Sequence, residues 1–445
     1  MCHDRPVKLS ALDRRIVSLA IPALGTLAIE PLYILVDTAI VGHLGTDALA
    51  GMAIAGTILL IITALVMFLQ YGATPDVAFA RGSGDVESTK AVAGDTVWLA
   101  IALGVPVSII AAVVAEPLAH LLGARGDVLV AATTYLRISC VGLPFVFVTF
   151  VGHGVMRGHN DLRKPLLIVL VANVVNVVVE IVVVYGFGAG IAGSAWSTVV
   201  VQIGAALAFM VILRPYIRFE RISWMRMKPI LARGSHLGLR SAVMLIALLA
   251  MTRTAASVDT PTLAAHQVLM QLFGLLALAL DALAIPAQSL VAEGLGAGRE
   301  GEAIDVGRSS RKLSLFVGIA FAVVVLATIP FVPSLFSDDD AVISRVAAGM
   351  VFLALVQIPG SVAFALDGVL IGAHDTRFLS RAAMFHLLPL APFLVLTVMY
   401  PALGIVGIWS AELLYMTSRA GVNQWRFASG RWSTSHTRRA VTQPA

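Results

Sequence analysis

The chain has 445 residues, of which 58% are hydrophobic and only 13% are charged, and its mean hydropathy is +0.91. A soluble protein of this length needs far more charge on its surface, so the composition excludes that class and indicates a polytopic membrane protein. The pI near 9.4 does not indicate nucleic-acid binding, because the basic residues fall in the gaps between apolar runs. Cys2 and Cys140 form no disulfide framework.

Twelve apolar runs follow one another along the chain, each of about 20 residues or more, the length with which a helix crosses a bilayer. Six of these runs precede a basic gap at residues 214–236, and six follow it. We predict one transmembrane helix for each run, with the limits 16–41, 51–77, 92–115, 128–156, 165–185, 190–213, 237–257, 263–292, 311–335, 341–371, 381–400 and 402–425.

The distribution of basic residues tests this count. Lysine and arginine concentrate in alternate gaps, at the N-terminus, in the gap 214–236 and in the tail. The loops of the other side offer only Arg125 and, at the start of the run 341–371, Arg345, and one of them carries the acidic run 338–340. Because cytoplasmic loops of membrane proteins are enriched in lysine and arginine, we predict that both termini are cytoplasmic.

The chain also repeats itself at an offset of 214 residues. The glycine pair Gly154 and Gly158 recurs as Gly368 and Gly372, and the segment 190–193 is similar to 404–407. We therefore predict an all-α fold of two six-helix lobes related by a pseudo-twofold axis along the membrane normal. The predicted domains are 1–213, a cytoplasmic linker at 214–236, 237–425 and a cytoplasmic tail at 426–445. Two such lobes can rock against each other, which is how secondary transporters work.

Polar side chains inside two of the runs are spaced for one helix face. Glu30, Tyr33 and Asp37 are spaced i, i+3, i+7 in the first run, which Pro22 should bend, and the fifth run repeats that spacing. A carboxylate at the bilayer centre costs about 2.5–3.5 kcal/mol on insertion scales, so its presence there indicates function. At the 214-residue offset the polar residues of the fifth run are replaced by leucine, so this stripe belongs to the first lobe alone. The fifth run contributes Asn173, Asn176 and Glu180.

Asp37, Glu180 and Thr198 should lie at comparable depths in the outer half of the membrane. We predict one pocket lined by these residues and Asn176, with Tyr33, Asn173 and Glu30 nearby. Burial and a second carboxylate both favour the protonated form of a carboxyl group, so this pocket suits proton exchange. The oxygens of Asp37, Asn176, Glu180 and Thr198 also suit Na⁺, which stays open as an alternative. Glu30 in the first lobe and Asp281 and Glu412 in the second are candidates to meet a cationic substrate in the cleft.

These residues resemble the MATE (multidrug and toxic compound extrusion) family, in its DNA-damage-inducible-F branch. The similar segments include 36–45, which follows Pro22, the stripe from Asn173 to Glu180, and 365–373. The resemblance implies a V-shaped pair of lobes and cation-driven export of organic compounds. It also implies an N-lobe cation site at Asp37, Asn176, position 180 and Thr198, with Tyr33 beside it and bending at Pro22 on protonation. The chain departs from the family pattern at Glu180, where aspartate is usual.

The predicted function is proton-coupled antiport of amphipathic, often cationic compounds at the inner membrane. The alternatives are Na⁺-coupled drug antiport and a flippase for a lipid-linked precursor, which would favour a basic cleft. We expect no enzyme activity, since the sequence contains neither an H-E-x-x-H nor a G-x-S-x-G motif. We expect no cofactor, and as partners only small organic molecules and the lipid bilayer. The chain is expected to work as a monomer.

Overall fold

The computed structural model describes residues 10–219 and 224–433, and within these ranges the chain is helical and contains no β-strand. The first half of the chain forms eight α-helices, with a short π-helix at Val182–Gly186 directly after the seventh. These helices are α1 (Ala11–Gly42), α2 (Thr46–Val66), α3 (Phe68–Gly82), α4 (Val86–Val113), α5 (Ala115–Leu121), α6 (Gly126–Gly158), α7 (Arg163–Ile181) and α8 (Gly190–Leu213).

The second half of the chain forms seven α-helices and a 3₁₀ turn at Pro401–Leu403. They are α9 (Trp224–Val258), α10 (Thr260–Gly296), α11 (Glu300–Thr328), α12 (Val332–Phe336), α13 (Asp340–Gly372), α14 (Thr376–Met399) and α15 (Gly404–Ala428). The ninth helix begins thirteen residues before the predicted span at 237, because the basic segment before that span is helical too.

Eleven helical segments of the described ranges are long and apolar enough to cross a bilayer, with α2 and α3 together forming one of them. They correspond to the first eleven predicted spans. The twelfth, α15, has 25 residues, which gives a length of about 37 Å and therefore exceeds the bilayer core of about 30 Å. It carries the charged residues Glu412, Arg419 and Arg426. The chain is a multi-pass membrane protein.

The described residues form two compact units. The first unit contains Gly25–Gly238, and the second contains the residues up to Leu24 together with those from Leu239 onward. Two long helices therefore change unit along their length: α1 does so after Leu24 and α9 after Gly238. These two positions are 214 residues apart, the offset of the sequence repeat.

The helix ends show the same repeat. The helices α6 and α13 both begin and both end 214 residues apart, and so do the segments Thr46–Gly82 and Thr260–Gly296. Positive φ angles recur at this offset as well, at Gly84 and Gly298, at Gly190 and Gly404, and at the non-glycine pair Asn160 and His374. The duplication thus reaches the turns between helices, where backbone conformation is most sensitive to sequence.

The repeated glycine pair permits a close helix contact in each unit. A Cβ atom on Gly154 would lie 2.7 Å from the Cβ atom of Ala73 on α3, and one on Gly368 would lie 2.4 Å from the carbonyl oxygen of Ala284 on α10. Small residues at such positions let two helix backbones approach. In this way α6 becomes the central helix of the first unit, and α13 becomes that of the second.

Candidate functional site

Three helices of the first unit bring the predicted ion-binding residues together. Tyr33 and Asp37 lie one turn apart on α1, Asn176 and Glu180 one turn apart on α7, and Thr198 lies on α8. Asp37 is 7% exposed, Asn176 is 2% exposed and Glu180 is fully buried. The spacing of four residues puts each pair on one helix face, as the sequence indicated.

The two carboxyl groups form the centre of this group. Asp37 accepts a hydrogen bond from the hydroxyl of Ser194 at 3.1 Å through its Oδ1 atom. The carboxyl group of Glu180 faces the carboxyl group of Asp37 and the hydroxyl group of Ser194, yet neither of its oxygens accepts a hydrogen bond within the described part of the chain. A buried carboxylate without donors is costly, so this arrangement calls for a proton or a cation between the two acids.

Thr198 connects the rest of the group. Its Oγ1 atom lies 3.0 Å from the hydroxyl oxygen of Tyr33, and the side-chain amide of Asn176 donates to it at 3.5 Å. The Oδ1 atom of Asn176 is buried and has no hydrogen-bond partner among the described residues. An acceptor oxygen therefore remains free beside the two acids, where a hard cation could use it.

The π-helix begins two residues after Glu180 and changes the geometry of the fifth span at its end. Such single π turns occur often at functional sites, since they redirect side chains. Here Tyr185 donates a hydrogen bond at 2.7 Å to the carbonyl oxygen of Ile40, three residues after Asp37. The bond joins the C-terminal ends of α1 and the fifth span and so holds the two acid-bearing helices together.

A cavity of about 260 Å³ opens beside the acid pair, within the first unit. The cavity wall includes Tyr33, Asn176 and Thr198, which also belong to the group around the acid pair. Glu30 and Asn173 line the same cavity. The side-chain amide of Asn173 donates to the carbonyl oxygen of Val169 at 2.8 Å. Glu30 is the one acidic residue of the lining, which otherwise combines apolar and polar side chains with Arg157.

Two residues of this region were missed by the sequence reasoning. Ser194 is fully buried and bonds Asp37, and Tyr135 on α6 is 5% exposed and lies beside Asp37, Glu180, Ser194 and Thr198. Ser194 precedes Thr198 by one helical turn, and this spacing is the signal that points to it. Nothing in the sequence around Tyr135 distinguishes it from other tyrosines of the spans.

The remaining predicted residues lie elsewhere. Asp281 on α10 and Glu412 on α15 belong to the second unit, where Asp281 is half-buried and Glu412 is 6% exposed. Pro22 lies inside the uninterrupted helix α1, two residues before that helix changes unit. Among the residues that the structure describes, no group of three or more histidine, cysteine, aspartate or glutamate side chains is arranged to hold a metal ion.

Comparison with known proteins extends this picture. The chain is 28% identical to Protein DETOXIFICATION 44, chloroplastic, of Arabidopsis thaliana, over 97% of this chain and 85% of that protein. It is 24% identical to the DNA damage-inducible protein F of Escherichia coli, over 95% of each chain. Its fold resembles that of a multidrug resistance MATE family transporter of the MOP superfamily, solved in an outward-facing conformation. The TM-score is 0.86 at 21% identity, over 95% of this chain and 97% of the other.

The MatE family pattern matches residues 22–182 and 237–396. The two matched segments lie one in each half of the sequence repeat, and together they cover well over half of the chain. The chain belongs to the MatE family of transporters.

Proposed function

We propose that this protein is a proton-coupled exporter of amphipathic, often cationic compounds. It works as a monomer in the inner membrane with both termini in the cytoplasm. The observation that carries the proposal is the buried pair Asp37 and Glu180, in which both oxygens of Glu180 lack a donor. Two carboxyl groups that share a buried site cannot both stay ionised without a proton or a cation.

The ion and the substrate can exchange because the ion site and the cavity share three residues. The shared residues are Tyr33, Asn176 and Thr198, which lie next to the acid pair and also line the 260 Å³ cavity. In that cavity Glu30 supplies a negative charge for a cationic substrate. A change in protonation of the acid pair therefore alters the wall of the cavity. Substrate binding and protonation become mutually exclusive when each favours a different arrangement of these side chains.

The first helix is the element that we propose to move. Only 11% of its most apolar segment is buried, and Pro22 removes one backbone hydrogen bond two residues before the helix changes unit. Protonation of Asp37 bends α1 at Pro22 and releases substrate outward, and deprotonation restores the straight helix. Asp281 and Glu412 remain candidate substrate contacts of the second unit.

The energetics are sufficient for export. One charge that crosses a membrane potential of about 100 mV supplies about 2.3 kcal/mol, which sustains a gradient of roughly fortyfold.

Na⁺ coupling is the second candidate, and the free Oδ1 atom of Asn176 favours it. Asp37, Asn176, Glu180 and Thr198 offer only oxygen atoms, which hard cations prefer.

Drug uptake into everted vesicles under an imposed pH gradient alone or an imposed Na⁺ gradient alone decides between the two ions. We expect the pH gradient to drive transport. Transport that only the Na⁺ gradient drives would contradict proton coupling and support the second candidate.

A further inference from the structure

At the positions that line the cavity of the first unit, the second unit carries charged side chains instead. Six residues on α9, α13, α14 and α15 form this group, which we call the charged cluster. Each has its counterpart at the 214-residue offset in the lining of the cavity. The cluster consists of Arg240, Asp367, His386, Glu412, Tyr415 and Arg419, and the counterparts are Thr26, His153, Ala172, Thr198, Val201 and Ala205.

Asp367 is the fixed anion of the charged cluster. Its Oδ2 atom accepts hydrogen bonds from both Arg240 and Arg419, and its Oδ1 atom accepts one from the side-chain amide of Asn423 at 2.9 Å. Three charge-assisted bonds of this kind hold a carboxylate ionised. Both arginines are thus committed to one aspartate, and the three groups together carry one positive charge.

Glu412 is the acid that these bonds leave out. It occupies the position equivalent to Thr198 of the ion-binding group, is 6% exposed, and makes no hydrogen bond or ion pair with any described residue. The charged group that acts on Glu412 electrostatically is Arg419, two turns further along α15. An unpaired carboxyl group at this depth of burial is stable only when it can shed its charge or when a net positive charge compensates it.

The neighbouring groups make both protonation states of Glu412 tolerable. Arg240 on α9, Asp367 on α13 and Arg419 on α15 sum to one positive charge, so an ionised Glu412 makes the cluster neutral. A protonated Glu412 leaves one charge, spread over two arginines of which Arg240 is the more exposed. His386 on α14 lies 3.0 Å from Ser418 through its Nδ1 atom.

The tyrosine of the cluster supplies a further unpaired group. Tyr415 follows Glu412 by one turn of α15, and its buried hydroxyl has no partner among the described residues. The guanidinium carbon of Arg419 lies 5.8 Å from the centre of its ring, and the ring of His386 meets it edge-on at 6.2 Å. A hydroxyl group in this position can donate to Glu412 when that group is ionised.

We propose that Glu412 is a second proton-exchange site of this protein, located in the second unit, with Arg240, Asp367 and Arg419 as its fixed counter-charges. The inference does not depend on the acid pair Asp37 and Glu180, since it concerns different helices and a different unit. If both sites exchange protons, each unit carries its own proton during transport.

Infrared difference spectroscopy of the full-length protein in lipid vesicles tests the proposal. A buried protonated carboxyl group gives its own C=O stretching band, which disappears as the group ionises when the pH is raised. We expect Glu412→Gln to remove one such band completely and to leave the band that Asp37→Asn removes. The exposed Glu302→Gln, in the same unit, is the matched control and should leave both bands in place.

An unchanged spectrum for Glu412→Gln would overturn the proposal, whatever the spectrum of Asp37→Asn shows. If Asp37→Asn removed no band, that result would instead contradict only the function proposed for the acid pair. Glu412→Asp keeps a carboxyl group in the cluster and serves if Glu412→Gln does not fold. It should shift the band, and an unshifted band would equally count against Glu412.

Discussion

The two units have the same helices but bury different polar groups. Asp37, Asn176 and Glu180 of the first unit correspond to Met251, Leu390 and Leu394 of the second, all of them buried in its apolar core. Conversely, the arginines that hold Asp367 correspond to Thr26 and Ala205, which line a cavity. The first unit thus has two acids that face each other without an arginine, and the second has an acid held by two.

The comparison separates scaffold from site. Close glycine contacts, turn conformations and helix ends recur at one offset because the helices of both units pack against each other in the same way. The buried charges of the acid pair and of the charged cluster do not recur, since each must be balanced locally by a partner, a proton or a cation. Groups balanced by arginine should therefore be structural, and those without such a partner should exchange ions.

The largest functional effect is expected from the unbalanced acids. Asp37→Asn removes the exchangeable group and should reduce drug export to background without loss of the protein from the membrane. Export by cells that express the variant, normalised to its amount in the membrane, measures this. The exposed Asp47→Asn, at the start of α2, should export normally. Full export by Asp37→Asn would contradict the claim that the acids without an arginine partner are the ones that exchange ions.

The largest effect on stability is expected from the balanced acid. Asp367→Asn leaves Arg240 and Arg419 without their counter-charge and should destabilise the protein by about 3–5 kcal/mol, as the loss of one partner of a buried ion pair does. Thermal unfolding of the purified protein in detergent measures the change. Replacing both arginines by methionine in the same variant should recover part of the loss, and no recovery would contradict the role of charge balance.

The glycine contacts should respond alike in both units. Gly154→Ala and Gly368→Ala each force a Cβ atom to within 2.7 Å or less of an atom on a neighbouring helix, and each should cost about 1–3 kcal/mol. Thermal unfolding again gives the values. Gly274→Ala is the control, because a Cβ atom there meets nothing within 4 Å. Very different losses of stability at positions 154 and 368 would mean that the two units do not share this helix contact.

A smaller effect on export is expected at Ser194. Ser194→Ala removes the hydrogen bond to Asp37, and since a bond to a charged group is worth about 1.5 kcal/mol, export should fall roughly tenfold. Ser194→Thr keeps the hydroxyl group and should export at nearly the normal rate. Initial rates of drug uptake into everted vesicles measure both variants, and equal rates for Ser194→Ala and the wild type would exclude Ser194 from the site.

The smallest effect concerns the start of one helix, where the two units differ. Asp259 caps α10 by accepting from the backbone of Thr262 at 2.8 Å, whereas its counterpart Gly45 caps α2 without a side chain. Asp259→Ala should cost about 1 kcal/mol, and Gly45→Ala at a φ angle of 123° should also destabilise. Unfolding temperatures of the two variants measure the difference.

The same cap gives a pH dependence. Burial acts to raise the pKa of Asp259, but the hydrogen bonds from Thr262 and the charge of Arg345 outweigh it and hold the pKa below its usual value. A lowered pKa in the folded state means that the contribution to stability is present at neutral pH and is lost as the pH falls through that pKa. The stability difference between wild type and Asp259→Ala should therefore shrink in acid, and a constant difference would contradict the cap.

Much of this could be predicted from the sequence. Apolar runs, the alternation of basic gaps and the 214-residue repeat predicted the helices and their duplication, because bilayer thickness and charge asymmetry leave few alternatives. The spacing within α1 and α7 placed Tyr33 with Asp37 and Asn176 with Glu180. The π-helix after Glu180 could not be foreseen, since a run of valines is compatible with either kind of turn.

Contacts between helices were harder to predict. Arg240 and Asp367 are separated by 127 residues, and their pairing depends on how each helix is rotated, which composition does not reveal. Ser194 and Tyr135 were missed for the same reason, because serine and tyrosine occur in many spans without a polar partner. The sequence could identify buried acids, but which of them an arginine balances required the structure.

The central claim is that Asp37 and Glu180 act as one proton-exchanging unit. A double-mutant cycle of proton release on drug binding, with purified protein in weakly buffered detergent solution, tests it most directly. We predict that Asp37→Asn and Glu180→Gln each abolish the proton release of this site, and that the double variant loses no more than either one. Losses from the two single variants that add up to the loss in the double variant would show that the acids act separately and would contradict the account.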